Sequence, residues 1–108
     1  MVSPAAGSGN GSYEVHNSDL ISKAFLRLQR QAEQEGRGRE LLHAARAVFE
    51  RLCRDPMEFG EPLYRLAALR LQVRSAAIRP LYVDFAVCED RPLVFIKSVR
   101  LLPKSKSS

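Results

Sequence analysis

Residues 69–100 read LRLQVRSAAIRPLYVDFAVCEDRPLVFIKSVR, and the period of this stretch decides the fold. From Leu69 to Ala76, Leu69, Leu71, Val73 and Ser75 alternate with Arg70, Gln72 and Arg74. A period of two predicts a half-buried strand. From Leu81 to Cys88, Leu81, Val83, Phe85 and Val87 alternate with Tyr82, Asp84, Ala86 and Cys88. Leu93 to Val99 is apolar on both faces, as a central strand can be. The stretch predicts three consecutive antiparallel strands, with one face in the core and the other carrying arginines.

Upstream the period changes. Ile21, Ala24, Phe25, Leu28 and Ala32 form one stripe at helical spacing, predicting a helix from about Asp19 to Glu35. Asn17, Ser18 and Asp19 supply N-cap chemistry, and the glycines of Glu35–Arg39 end the helix. Leu41, Leu42, Ala45, Val48, Phe49 and Leu52 mark a second helix from about Arg39 to Arg54, supported by an i,i+4 Glu50–Arg54 pair and stopped by Asp55-Pro56. So short a connection makes the two helices an antiparallel hairpin. Tyr13 to His16 is a short candidate strand, and Leu63 to Leu66 a strand start or extended arm.

The order is strand, helix, helix, then three or four antiparallel strands. This predicts an α+β domain with the helical hairpin packed on one face of a twisted sheet. The helix stripes should meet Leu71, Val73, Val83, Phe85 and Val87, leaving an open face for the arginines. Met1 to Ser12, rich in Gly, Ser, Ala and Pro, is expected to be disordered. Residues 13–102 should form one domain, and Pro103 to Ser108 a polar tail.

Composition narrows the function classes. A length of 108 residues suits one domain. No apolar run approaches the roughly 18 residues of a membrane span, and a basic start followed by an apolar signal core is absent. Cys53 and Cys88 fit no metal spacing, so two reduced thiols in a cytoplasmic protein are expected. No metal, cofactor or membrane partner is expected, since no zinc, phosphate-loop, dinucleotide or catalytic-triad signature occurs. Net charge is +5, unevenly spread: residues 1–62 carry eight basic and nine acidic side chains, and residues 63–108 nine basic and three acidic. The excess falls on the predicted sheet, where it would attract phosphate or an acidic partner.

The motif order resembles the RelE/ParE toxin superfamily of toxin–antitoxin modules. The resemblance rests on Arg54-Asp55-Pro56 after the second helix, Gly60-Glu61-Pro62-Leu63, and the strand Arg70-Leu71-Gln72-Val73-Arg74. It continues through Arg79-Pro80-Leu81-Tyr82-Val83, the acidic turn Glu89-Asp90 and the final strand Leu93-Val94-Phe95-Ile96. It covers roughly Tyr13 to Leu102. It implies a small antitoxin partner and one of two activities, cleavage of messenger RNA on the ribosome or inhibition of DNA gyrase. It carries strand arginines over to Arg74 and Arg79, and a tyrosine loosely to Tyr82. Many members end the last strand with Arg-Val-Gly-His-Arg, often with a Tyr beyond. Here Lys97-Ser98-Val99-Arg100-Leu101-Leu102 stands in that place, without His or Tyr. A non-catalytic binding module of the same fold, holding an acidic peptide or nucleic acid, is the alternative.

Ribonuclease-type cleavage needs a group to take the 2′-OH proton, an acid for the leaving oxygen and cations for the phosphorane charge. Arg74, Arg79, Tyr82 and Lys97 are the catalytic candidates. Arg70, Arg74, Arg79, Lys97 and Arg100 are the candidates for nucleic-acid contact. Two registers are open for the last hairpin. A two-residue turn at Glu89-Asp90 puts Tyr82 opposite Lys97 and Asp84 opposite Phe95, whereas a three-residue turn puts Lys97 opposite Val83. His16 and His43 have no partner at a useful sequence spacing.

Overall fold

The computed structural model describes residues 12–103. The predicted tails lie almost wholly outside that range. Strand β1 (Glu14–His16) leads into helices α1 (Asp19–Gln34) and α2 (Gly38–Arg54). After a short 3-10 turn at Pro56–Glu58 come β2 (Glu61–Leu66), a second 3-10 turn at Ala67–Leu69, β3 (Leu71–Ile78), β4 (Leu81–Cys88) and β5 (Leu93–Leu101). The five strands form one mixed sheet in the order β1-β5-β4-β3-β2. All neighbours are antiparallel except β1, which runs parallel to β5. The α+β architecture is as the periodicity predicts, with the helical pair on one face.

Local chemistry explains the helix boundaries. The Ser18 hydroxyl accepts from the Ile21 amide and caps α1. Gly36, at φ +76°, closes the same helix: the Arg37 amide reaches back to the Ala32 carbonyl at 2.7 Å. Arg37 is itself buried, and its guanidinium donates to the Leu102 carbonyl at 2.8 Å, fastening the helical turn to the end of β5. At the end of α2 the i,i+4 ion pair is Arg51–Asp55, at 2.8 Å, rather than the expected Glu50–Arg54.

The core under the helices gathers Ala32, Leu41, Ala44, Val48, Leu52, Phe59, Ala76, Leu81, Val83, Phe85, Val87 and Val94. The buried face of α2 is narrower than its apolar stripe suggests. Phe49 is 52% exposed and Leu42 is also exposed, while Ala44 takes an inward position.

Strand β3 runs in the opposite phase to the expected one, while β4 keeps Leu81, Val83, Phe85 and Val87 in the core. In the β3–β4 ladder Arg74 stands opposite Phe85 and Ala76 opposite Val83, so Arg74 and Ala76 share the helix-covered face. Val73 stands opposite Ala86 and Leu71 opposite Cys88, on the open face. The prediction that Leu71 and Val73 meet the helices, and that Arg74 lies in the open, is therefore corrected. The cause is the loop before β2. Arg74 Nε donates to the Phe59 carbonyl and Nη2 to the Gly60 carbonyl, both at 3.1 Å, and Nη1 donates to the Gln72 side-chain oxygen. These acceptors let an arginine sit 7% exposed at the edge of the core.

The last hairpin adopts neither expected register. Tyr82 pairs with Arg100, Val83 with Val99 and Asp84 with Ser98, but Phe85 pairs with Ile96. Lys97 is left as the extra residue of a bulge. A similar shift in β2 makes Leu63 the extra residue between Pro62 and Tyr64.

Candidate functional site

The open face of the sheet collects the polar and aromatic side chains of β3, β4 and β5, and the bulge at Lys97 determines which they are. Strict alternation from Phe95 would bring Lys97, Val99 and Leu101 to this face. Instead Ile96, Val99 and Leu101 pack towards the core. Phe95, Lys97, Ser98 and Arg100 all turn to the open side, as their partners show. One extra residue thus replaces two aliphatic side chains by a hydroxyl and a guanidinium.

Three rows cross this face. In the first, the Arg100 guanidinium lies 4.4 Å from the centroid of the Tyr82 ring, a cation–π contact between cross-strand partners. In the second, Ser75, Asp84 and Ser98 are ladder neighbours. The Ser98 hydroxyl donates to Asp84 Oδ2 at 3.0 Å, while Asp84 Oδ1 is buried without a hydrogen-bond partner. In the third, Tyr64, Val73, Ala86, Phe95 and His16 follow one another across all five strands. The His16 and Phe95 ring centroids are 5.6 Å apart. Lys97 Nζ donates to the Tyr64 hydroxyl at 3.0 Å, above this row.

The expected site residues divide into three groups. Tyr82, Lys97 and Arg100 share the open face, Tyr82 in contact with Arg100 and Lys97 with Tyr64. Arg74 lies on the other face, committed to the carbonyls of Phe59 and Gly60. Arg70 and Arg79 stand beyond opposite ends of β3, roughly 30 Å apart at about 3.3 Å per residue. Arg70 occupies the left-handed region at φ 54° in the turn before β3, where its carbonyl accepts from the Glu89 amide. Arg79 is exposed in the β3–β4 turn and donates to the Pro103 carbonyl at 3.1 Å. The strand arginines therefore do not form one patch, and the cations on the open face come from β5.

Tyr64, Asp84, Ser98 and His16 belong to the face and were not among the candidates. The Asp84 signal lay in its place on the Tyr82–Cys88 alternation. Tyr64 and His16 carried none, because strand pairing rather than sequence spacing brings them there. Asp84 faces Ser98 and not Phe95, where the two-residue turn would put it. Beyond the end of the sheet, Arg65 grips Glu89 through two hydrogen bonds of 2.6 and 2.7 Å. That contact holds the Glu89 carboxyl below its usual value, with the Arg65 and Arg70 charges adding to the effect. Burial pushes the Cys53 thiol up.

The helix side offers a cleft of about 400 Å³ between α1, α2 and the sheet, lined by Ile21, Phe25, Phe49, Val83 and Ile96 among others. Its polar lining residues are Asn17 and Ser22, which bond each other at 2.8 Å. With no charged or acid–base group in its lining, it offers binding volume without chemistry. Among the described residues no cluster of His, Cys, Asp or Glu could hold a metal ion, and no helix is long and apolar enough to cross a membrane. Comparison with known proteins finds no matching family model, no similar curated protein and no similar solved structure.

Proposed function

We propose that this chain is the toxin component of a toxin–antitoxin module and that it acts on RNA with the open face of its sheet. The observation that carries the reading is the Tyr82–Arg100 pair beside Asp84 and Ser98. An aromatic ring on an open sheet stacks an unpaired base, and a guanidinium beside it takes the neighbouring phosphate. The order strand–helix–helix–strands and the motif series from Arg54 to Ile96 support placing it with RelE-like toxins.

For cleavage, the 2′-oxygen attacks phosphorus after giving up its proton, and the 5′-oxygen leaves with a proton. Asp84 is the proton acceptor of the face, and the Tyr82 hydroxyl is the group that gives a proton to the 5′-oxygen. Arg100 and Lys97 are its cations for the charge that develops on the phosphoryl oxygens. One observation favours binding without cleavage: Arg74, expected to meet phosphate, is spent on two backbone carbonyls.

Induced expression in a bacterium separates these readings. Growth and messenger integrity are followed together for wild type and for Tyr82→Ala/Arg100→Ala. Growth arrest with cut messages, relieved by the double change, supports a ribonuclease toxin. Arrest with intact messages and broken DNA points to a gyrase inhibitor. Normal growth with intact messages removes the toxin reading and leaves the binding module.

A further inference from the structure

The Lys97–Tyr64 contact spans the middle of the sheet. Strands β5 and β2 are separated by β4 and β3. Three spacings of about 4.8 Å place their backbones roughly 14 Å apart. Only two extended side chains laid towards each other close that distance, and here they meet at 3.0 Å. Tyr64 follows a bulge and Lys97 is the extra residue of one, so both departures from regular pairing lie at this contact.

Beneath the contact lie Val73 and Ala86, cross-strand partners with Tyr64 and Phe95 on either side. Neither belongs to the core under the helices. Yet Val73 is 1% and Ala86 3% exposed, on a face that no helix covers. Small side chains reach that level of burial only beneath larger ones. The larger side chains next to them in the ladder and in this contact are Tyr64, Phe95 and Lys97, which are themselves exposed, Tyr64 to 49%. The result is a flat apolar floor closed at the surface by one exposed side-chain pair, which joins through the hydrogen bond and a cation–π contact of Lys97 with the Tyr64 ring at 5.6 Å, and such exposed contacts open at small cost.

We propose that Tyr64 and Lys97 form a strap that opens to seat one unpaired nucleobase over Val73 and Ala86. The base stacks on the Tyr64 ring and its phosphate passes to Lys97. Tyr82 stands four residues from Ala86 along β4, about 13 Å away at about 3.3 Å per residue. A single strand crossing the face therefore meets both rings, with Asp84 between them. The inference rests on the reading that this face takes RNA.

The test is the affinity of wild type and variants for a short labelled single-stranded oligoribonucleotide, with a thermal melt of each. Tyr64→Ala should weaken binding about tenfold, the size of one lost stack. Tyr64→Phe keeps the ring, frees the strap and should bind as tightly as wild type or more so. Lys97→Ala should lower the slope of log affinity against log salt by about one. Because Tyr64→Ala also uncovers the floor, Tyr64→Leu serves as a folded control that keeps an apolar cover without the ring, and it should bind as weakly as Tyr64→Ala. Wild-type affinity in Tyr64→Ala or Tyr64→Leu overturns the strap. So does equal weakening by Tyr64→Phe and Tyr64→Ala. If Tyr82→Ala/Arg100→Ala alone loses binding, the strap falls and the RNA face stands. If wild type binds no RNA, both fall.

Discussion

Arg74 stands opposite Phe85 in the β3–β4 ladder, on the face that the helices cover. A guanidinium in that position has to answer for its own desolvation. It does so through the Phe59 and Gly60 carbonyls, so the side chain splices the loop before β2 to the third strand. Hydrogen bonds to charged groups contribute roughly 1.5–3 kcal/mol. Arg74→Ala should therefore lower stability by about 2–3 kcal/mol in denaturant titration. Arg79→Ala, in an exposed turn with one carbonyl contact, should change it by less than about 1 kcal/mol. A neutral Arg74→Ala would detach the residue from the loop.

Gly60 is the other half of that splice. It has φ +73°, and a Cβ there would lie 2.0 Å from the Ser75 carbonyl oxygen, a backbone atom that cannot swing aside. Gly60→Ala should cost about 3 kcal/mol, at the upper end for a residue forced into an unfavourable backbone region. It should also loosen the Arg74 contacts, so Gly60→Ala and Arg74→Ala should be less than additive in a double-mutant cycle.

The Arg65–Glu89 pair ties edge strand β2 to the end of β4. Because Arg65 holds the Glu89 carboxyl below its usual value, the pair stabilises the fold above the unfolded pKa. That contribution is lost as pH falls through the folded one. Melting temperatures of wild type and Glu89→Gln should differ at pH 7 and converge as pH falls well below about 4.3, the ordinary glutamate value. A difference that persists unchanged to pH 3 would mean that the charge is not what Glu89 contributes.

The sequence discloses the element order because each element has a clean period. α1, α2 and β4 fall close to the boundaries that their apolar spacing predicts. The phase of β3 is hidden for a physical reason. Alternation says which residues share a face, but not which face the helices take. The usual rule, apolar inward, fails when Leu71 and Val73 find cover on the open side and Arg74 finds carbonyl acceptors on the covered side. The bulge at Lys97 is hidden too, since KSVR contains no glycine or proline to announce it. Its effect on the site is large: it brings Ser98 to Asp84 and Arg100 to Tyr82. His16 and Tyr64 join the face through pairings between strands distant in sequence, which no local pattern encodes.

The proposed working surface is the open face of β3, β4 and β5. Amide chemical-shift mapping on titration with a short single-stranded oligoribonucleotide tests it most directly. The largest changes should fall at Tyr64, Val73, Tyr82, Asp84, Ala86, Lys97, Ser98 and Arg100, with α1 and α2 left still. Changes concentrated around Phe25, Phe49 and the cleft between the helices and the sheet, or no changes at all, would contradict it.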